Sequence, residues 1–239
     1  MGGKECIFMT NDVALIVGVG TGLSASIARL CAREGMQVAL AARKPEKLQP
    51  LVEETKARAY YCDASEPSDV AKLFEQVTNE IGTPTLVIFN AGMRARGPIA
   101  ELDVEQVKRA WLVGGYGGFL VGQQAAQRML PLGKGTIIFT GATASVKGYA
   151  ESAPFAMTKF SLRGLAQSMA RELAPKGVHV AHVVIDGGIS SSYATDDADK
   201  TTDRWLNPDA IAETYLQLHR QHRSAWTWEI EVRPWLEKF

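Results

Sequence analysis

Val13-Ala14-Leu15-Ile16-Val17-Gly18-Val19-Gly20-Thr21-Gly22-Leu23-Ser24 runs from an apolar stretch straight into a cluster of glycines. The stretch Val13–Val17 has the length and composition of a buried strand. Beyond the glycines, Ile27, Ala28, Leu30 and Cys31 supply the apolar face of a helix. A glycine-rich turn between strand and helix lets the backbone come close to a pyrophosphate, whose charge is stabilised by the helix's free N–H groups and positive dipole end. Tight turns use glycine too, so it is this strand-to-helix context that points to a dinucleotide. The candidate cradle is Gly18, Gly20, Thr21, Gly22 and Leu23.

Outward from this unit, short apolar runs alternate with helical patterns. Gln37–Ala42, Ala57–Cys62, Leu86–Phe89, Thr136–Phe139, His179–Ile185 and Trp228–Val232 read as further strands. Val70, Leu73, Phe74, Val77 and Ile81 predict one amphipathic helix, and Leu162, Leu165, Ala166, Met169 and Leu173 predict another. Asn207-Pro208 opens a last helix, to about Arg220, as N-cap and first-turn proline. The alternation predicts a single α/β domain over residues 1–239, a doubly wound Rossmann-type fold. Its seven-stranded, mainly parallel sheet carries helices on both faces and binds its ligand at the carboxyl ends of the strands. The polar stretch 190–204 is either a lid that sets specificity or a solvated surface loop.

Composition excludes several classes. Lys and Arg (26) balance Asp and Glu (26), so no net field favours nucleic acid or an anionic membrane, and a small-molecule ligand is expected. Cys6, Cys31 and Cys62 have no metal-ligand or disulfide spacing, which points to no metal site and to a reducing, cytoplasmic setting. The start Met1–Cys6 resembles an acylation signal but has Cys6 where serine or threonine is required. The apolar run Val13–Val19 is too short to span a bilayer.

The second strand ends Ala41-Ala42-Arg43-Lys44, where an NAD-preferring site carries a carboxylate for the adenosine ribose. Arg43 offers a planar fork of donors to a 2′-phosphate and Lys44 adds charge. NADP(H) is therefore the favoured cofactor, with NAD(H) possible if both cations are merely solvated.

With Asp63-Ala64 after the third strand, Asn90-Ala91-Gly92 after the fourth and Lys159 at the head of a helix, the chain resembles the short-chain dehydrogenase/reductase family over nearly its whole length. The resemblance implies that Asp63 hydrogen-bonds the adenine with Ala64 beside it, and that Asn90, Ala91 and Gly92 stabilise the sheet beside the cofactor. Lys159 then holds the nicotinamide ribose, while Gly187 and Ile189 present backbone to the carboxamide. It also implies a carbonyl or alcohol substrate and a homodimer or homotetramer, paired through the helices around 104–129 and 159–174. The aromatic segment from Trp226 serves either that pairing or the core. Ser24 stands where the family has a third glycine, a change in local backbone freedom. Asp186 is either a substrate contact or a cap of its own loop.

The catalytic set departs from the family. Phe155 stands where the tyrosine is expected, Ala142 where the serine is and Gly114 where the asparagine is, so Lys159 alone remains. An offshoot spacing, with tyrosine seven residues before the lysine, falls on Ser152. A phenylalanine neither donates a proton nor stabilises an oxyanion. Thr143, Ser145, Tyr149 and Ser152 lie in the neighbouring loop, with Tyr149 the best replacement donor or else a surface ring. His179 and His182 read as packed histidines facing one side of their strand together. Two functions follow: an oxidoreductase with a modified proton path, or a catalytically quiet dinucleotide-binding protein or scaffold.

Overall fold

The computed structural model describes residues 12–196, 199 and 203–237. The acylation-like start with Cys6, and residues 197–198 and 200–202 of the stretch read as a lid, lie outside the described residues. Among the described residues the strands are β1 (Val13–Val17), β2 (Gln37–Ala42), β3 (Arg58–Tyr61), β4 (Leu86–Phe89), β5 (Thr136–Thr140), β6 (His179–Ile185) and β7 (Glu229–Val232). They form one sheet in the order β3-β2-β1-β4-β5-β6-β7. Every pairing in it is parallel. The chain leaves β1 toward β3 and returns on the other side with β4, so the loops after β1 and β4 diverge and open a crevice at their carboxyl ends.

β1 is buried at every residue because helices cover both faces of the sheet. Its period of two sends Ala14 and Ile16 into one core, with α1 (Leu23–Arg33), α2 (Gln49–Thr55) and α8 (Pro208–Arg220). Val13, Leu15 and Val17 enter the other, with α3 (Pro67–Glu80), α5 (Gly117–Met129) and α6 (Ala153–Leu173). The α3 stripe Val70, Leu73, Phe74 and Val77 is fully buried, as its spacing predicts. Asn207 caps α8 by accepting from the amides of Asp209 and Ala210, and Pro208 follows it. Among the described residues no helix is long and apolar enough to cross a membrane.

One sequence expectation is corrected. His179 and His182 are three residues apart on a strand, an odd separation that sends them to opposite faces. The His179 ring stacks on Trp226, centroids 4.9 Å apart, and its Nε2 lies 2.8 Å from the Thr227 carbonyl. His182 points the other way, to Ser145 and Glu229. Trp226 is thus part of the packing, whereas Trp235 is 77% exposed.

Between α4 (Val104–Trp111) and α5 the chain makes a π-helical turn, Leu112–Tyr116. A Cβ on Gly114 would overlap the Thr158 methyl group of α6. The close packing of α6 therefore leaves no room for any side chain at Gly114, the position where an asparagine is expected.

Candidate active site

The turn after β1 is shaped by its neighbours. The amides of Gly18 and Val19 both donate to the Ala41 carbonyl, at 3.0 and 3.1 Å. Gly18 has φ +89°, and a Cβ there would overlap the backbone nitrogen and Cα of Ala91. Asn90 donates from its side chain to the Ser24 hydroxyl at 2.7 Å, and Ser24 donates to the Gly18 carbonyl at 3.2 Å. Ser24 is therefore a latch joining the turn to the end of β4, a role that backbone freedom alone does not convey. Its sequence signal was the pairing of a hydroxyl in the first helical turn with an asparagine at the end of β4.

A cleft of about 820 Å³ opens over these ends, lined by Gly18, Gly20, Thr21, Arg43, Asp63, Ala64, Asn90, Ala91 and Gly92 among others. Arg29, Lys44 and Lys47 also line it, so four cations surround the end nearest β2. Arg29 is engaged by Glu54 at 2.8 Å, whereas Arg43, Lys44 and Lys47 form no ion pair among the described residues. Asp63 accepts from the Ser65 hydroxyl (2.7 Å) and amide (3.1 Å). Partial burial raises the Asp63 pKa, but Ser65 together with Arg43 and Arg109 outweighs it and holds the carboxyl below its ordinary range. An ionised acceptor and a cationic rim thus share one end of the cleft. Gly22 and Leu23 lie behind it: Leu23 is buried at the start of α1, and a Cβ on Gly22 would meet the Ser191 hydroxyl of α7 (Ser190–Tyr193).

Lys159 does not line this cleft: it is buried in α6, and its ammonium donates to the Thr140 carbonyl at 2.6 Å. Desolvation, with a contribution from the Arg94 charge, pushes its pKa down to about 8. Phe155, one helical turn earlier, sets its ring 5.8 Å from that ammonium. The same ring carries the Arg94 guanidinium at 4.8 Å. Ala142 lies in the loop after β5, its amide donating to the Ser145 hydroxyl at 3.1 Å. The structure thus brings Lys159, Phe155 and Arg94 together with no hydroxyl contributed at positions 142 or 155. Arg94 was missed in the sequence, although it lies just past Asn90-Ala91-Gly92.

Tyr149 is 51% exposed, and its ring contact is the Lys147 ammonium at 5.8 Å. Gly187 (φ +148°) packs against Pro234, and Ile189 pairs with Leu206 in an isolated bridge. Asp186 corrects both alternatives offered for it: its carboxylate is buried and ion-paired with Arg233 after β7, so it neither caps its loop nor faces the cleft.

Beneath the loop lies a closed hydrogen-bonded chain. Burial pushes the His182 pKa down to about 4 despite the adjacent Glu229, so the ring is neutral near pH 7. One consistent tautomer has Nδ1–H donating to Glu229 at 3.0 Å while Nε2 accepts from the Ser145 hydroxyl at 3.3 Å. Glu229 is in turn held by both arms of Arg163, at 2.6 and 2.7 Å. Ser145 is wholly buried, so this serine–histidine–glutamate chain braces the backbone around Ala142 and is closed to substrate.

Comparison with known proteins agrees with this geometry. The model of the short chain dehydrogenase family matches residues 12–202. An uncharacterized oxidoreductase of Staphylococcus aureus is 28% identical over 232 residues, covering 95% of this chain and 98% of that protein. Among solved structures, a short-chain dehydrogenase from Rhodopseudomonas palustris is 37% identical with TM-score 0.82, covering 94% of this chain and 99% of that one. A metagenomic short-chain oxidoreductase solved in complex with NADP is 26% identical with TM-score 0.83, covering 96% and 99%. A parallel sheet in this order, a glycine turn latched to the end of β4 and a family match spanning most of the sequence make this chain a member of the short-chain dehydrogenase/reductase family.

Proposed function

We propose that this chain is an NADP(H)-dependent oxidoreductase acting on a carbonyl or alcohol through a modified proton path. The observation that carries the reading is the cleft, which the Gly18 turn lines together with a cationic rim of Arg43, Lys44 and Lys47. Its residues suit a dinucleotide phosphate. Gly20, where a Cβ would meet nothing within 4 Å, leaves the turn's backbone approachable, Asp63 is held ionised to accept a hydrogen bond, and Arg43 suits a phosphate oxygen. The metagenomic relative solved with NADP supports the same cofactor class. A bound reduced nicotinamide supplies hydride. The chain's own work is to orient it through Lys159, to exclude water with the half-buried Phe155 ring, and to accommodate charge on the substrate oxygen. Ser190–Tyr193 and the residues that follow act as the lid, consistent with Ser191 lying against Gly22. The chain acts in the cytoplasm in this reading.

Fluorescence titration with NADPH and NADH at equal ionic strength tests the cofactor assignment. NADPH is expected to bind more tightly, and Arg43→Ala to weaken NADPH by roughly 10–100-fold with little effect on NADH, the range for losing a hydrogen bond to a charged group. Equal binding of the two by the native chain removes Arg43 from the account. The quiet-binding reading keeps one observation in its favour: Phe155, Ala142 and Gly114 supply no polar side-chain atom.

The chain also assembles as a homodimer or homotetramer in this reading. Trp111, Phe119, Met157 and Phe160 leave 40–54% of their surfaces exposed on neighbouring helices, and Trp111, Tyr116 and Phe119 stack in sequence. Light scattering at micromolar concentration is expected to give twice or four times the chain mass, with Phe160→Glu shifting it toward monomer. A monomeric native chain refutes the assembly.

A further inference from the structure

A second cavity, of about 530 Å³, lies at the amino-terminal edge of the sheet, where Asp12, Thr85, Thr136 and Gly177 lead into their strands. No residue lines both this cavity and the dinucleotide cleft. Met36, Leu216 and Trp226 give it apolar surface. The indole of Trp226 is fixed: it lies parallel to the His179 ring, centroids 4.9 Å apart, and donates from Nε1 to the Gln221 carbonyl at 3.2 Å. Lys134, Arg220 and Arg223 line the same cavity beside a carboxylate, Asp12. Arg220 is held by Glu34 at 2.5 Å, and Asp12 accepts from Thr85 at 2.8 Å with His219 3.9 Å away. Lys134 and Arg223 are exposed and form no ion pair among the described residues. His219 and Arg220 sit in the last turn of α8, where cations complement the negative end of the helix dipole. Lys134 and Arg223 lie outside any α-helix, so the dipole does not account for them.

We propose that this cavity is a second ligand site, separate from the dinucleotide cleft, which takes a small aromatic phosphate with its ring against Trp226 and its phosphate between Lys134 and Arg223. The volume lies within the range of small-molecule sites, and the lining has their character, an apolar surface with a few polar groups at its rim. Two cations without carboxylate partners suit a dianion, and a guanidinium beside an ammonium offers both a planar fork and a point charge to its oxygens. His222, which also lines the cavity, accepts the Ser224 amide at Nδ1 (3.3 Å), so its Nε2–H is left as a further donor. The loop that carries Arg223 is ordered in advance: Gln221 donates to the Thr227 hydroxyl at 2.9 Å and accepts from the Thr227 amide at 2.8 Å, closing the segment between them. A closed loop loses less freedom when a ligand binds. His219 holds the Asp12 carboxyl below its ordinary range against partial burial, aided by Thr85 and by the Lys134 charge. The field of Lys134 therefore reaches the interior of the cavity.

The test is calorimetric titration of phenyl phosphate into the native chain at physiological salt, with and without saturating NADP. Binding is expected in both conditions, with inorganic phosphate about tenfold weaker because it has no ring to set against the indole. Lys134→Ala and Arg223→Ala should each weaken phenyl phosphate by about tenfold, the lower end for losing a hydrogen bond to a charged group. Both side chains are exposed, so the variants should melt like the native chain. Arg43→Ala, in the other cleft, should bind phenyl phosphate as the native chain does. No binding by the native chain, unchanged binding by either Lys134→Ala or Arg223→Ala, displacement by NADP, or loss of binding in Arg43→Ala overturns the site. Inorganic phosphate that binds as tightly as phenyl phosphate overturns the assignment of an aromatic ligand.

Discussion

Phe155→Tyr is expected to raise kcat/KM for simple aldehydes and ketones by about 10²-fold with NADPH, the lower end of what a positioned general acid contributes. The change adds one oxygen to a half-buried ring that already faces the Lys159 ammonium at 5.8 Å and the Arg94 guanidinium at 4.8 Å. Two nearby positive charges favour the ionised phenol and so lower its pKa toward neutrality, where proton transfer is most effective. The gain stays at the lower end because Ala142 supplies no second donor and Gly114 has no room for one. The measurement is steady-state NADPH oxidation by native and variant chains, with NADPH affinity determined separately. A variant no better than the native chain would mean that the Phe155 rim does not face the reacting oxygen. A native chain inactive on every carbonyl, diketones and quinones included, beside an active variant would favour the quiet-binding reading.

Gly18→Ala is expected to cost about 3 kcal/mol or more and to abolish dinucleotide binding. Its φ of +89° lies where an L side chain is strained by roughly 1–2 kcal/mol. The added methyl would also overlap backbone atoms of Ala91 and stand 2.8 Å from the Ala91 Cβ, so the ends of β1 and β4 would have to part. That movement would break the Asn90–Ser24–Gly18 latch. For a chain of this size the loss corresponds to a fall in Tm of about 6–12 °C, read by calorimetry without cofactor. Gly20→Ala is the control, since a Cβ there meets nothing within 4 Å. It should melt like the native chain and weaken only NADPH binding. Matching melting curves for Gly18→Ala and the native chain would rule out the close approach of Ala91.

Most of the architecture was legible in the sequence because it depends on local patterns. A continuous apolar run such as Val13–Val17 is what a strand covered on both faces requires, and i, i+3, i+4 spacing is what a helix lying on a sheet requires. The glycine turn was legible for the same reason: its meaning follows from the strand before it and the helix after it. So was the absence of a hydroxyl at Phe155, which is a matter of residue identity at a counted spacing.

What only the tertiary structure decided are relations between segments far apart in the chain. Ser24 reads as a lost glycine until Asn90 is brought onto it, and Asp186 reads as a loop cap until Arg233 arrives to pair with it. The two histidines of β6 read from the sequence as facing one side, whereas the strand's period of two separates them, one to Trp226 and one to Ser145 and Glu229. Arg94 carries no local signal at all, and its position over Phe155 exists because the loops after β4 and β5 end on the same edge of the sheet. By itself, the sequence determined the fold, the family resemblance and the place of the glycine turn, because apolar periodicity and glycine spacing act within a few residues. The tertiary structure alone decided which charges meet in the cleft, since hydrogen bonds and ion pairs depend on distances that parallel crossovers set between residues tens of positions apart.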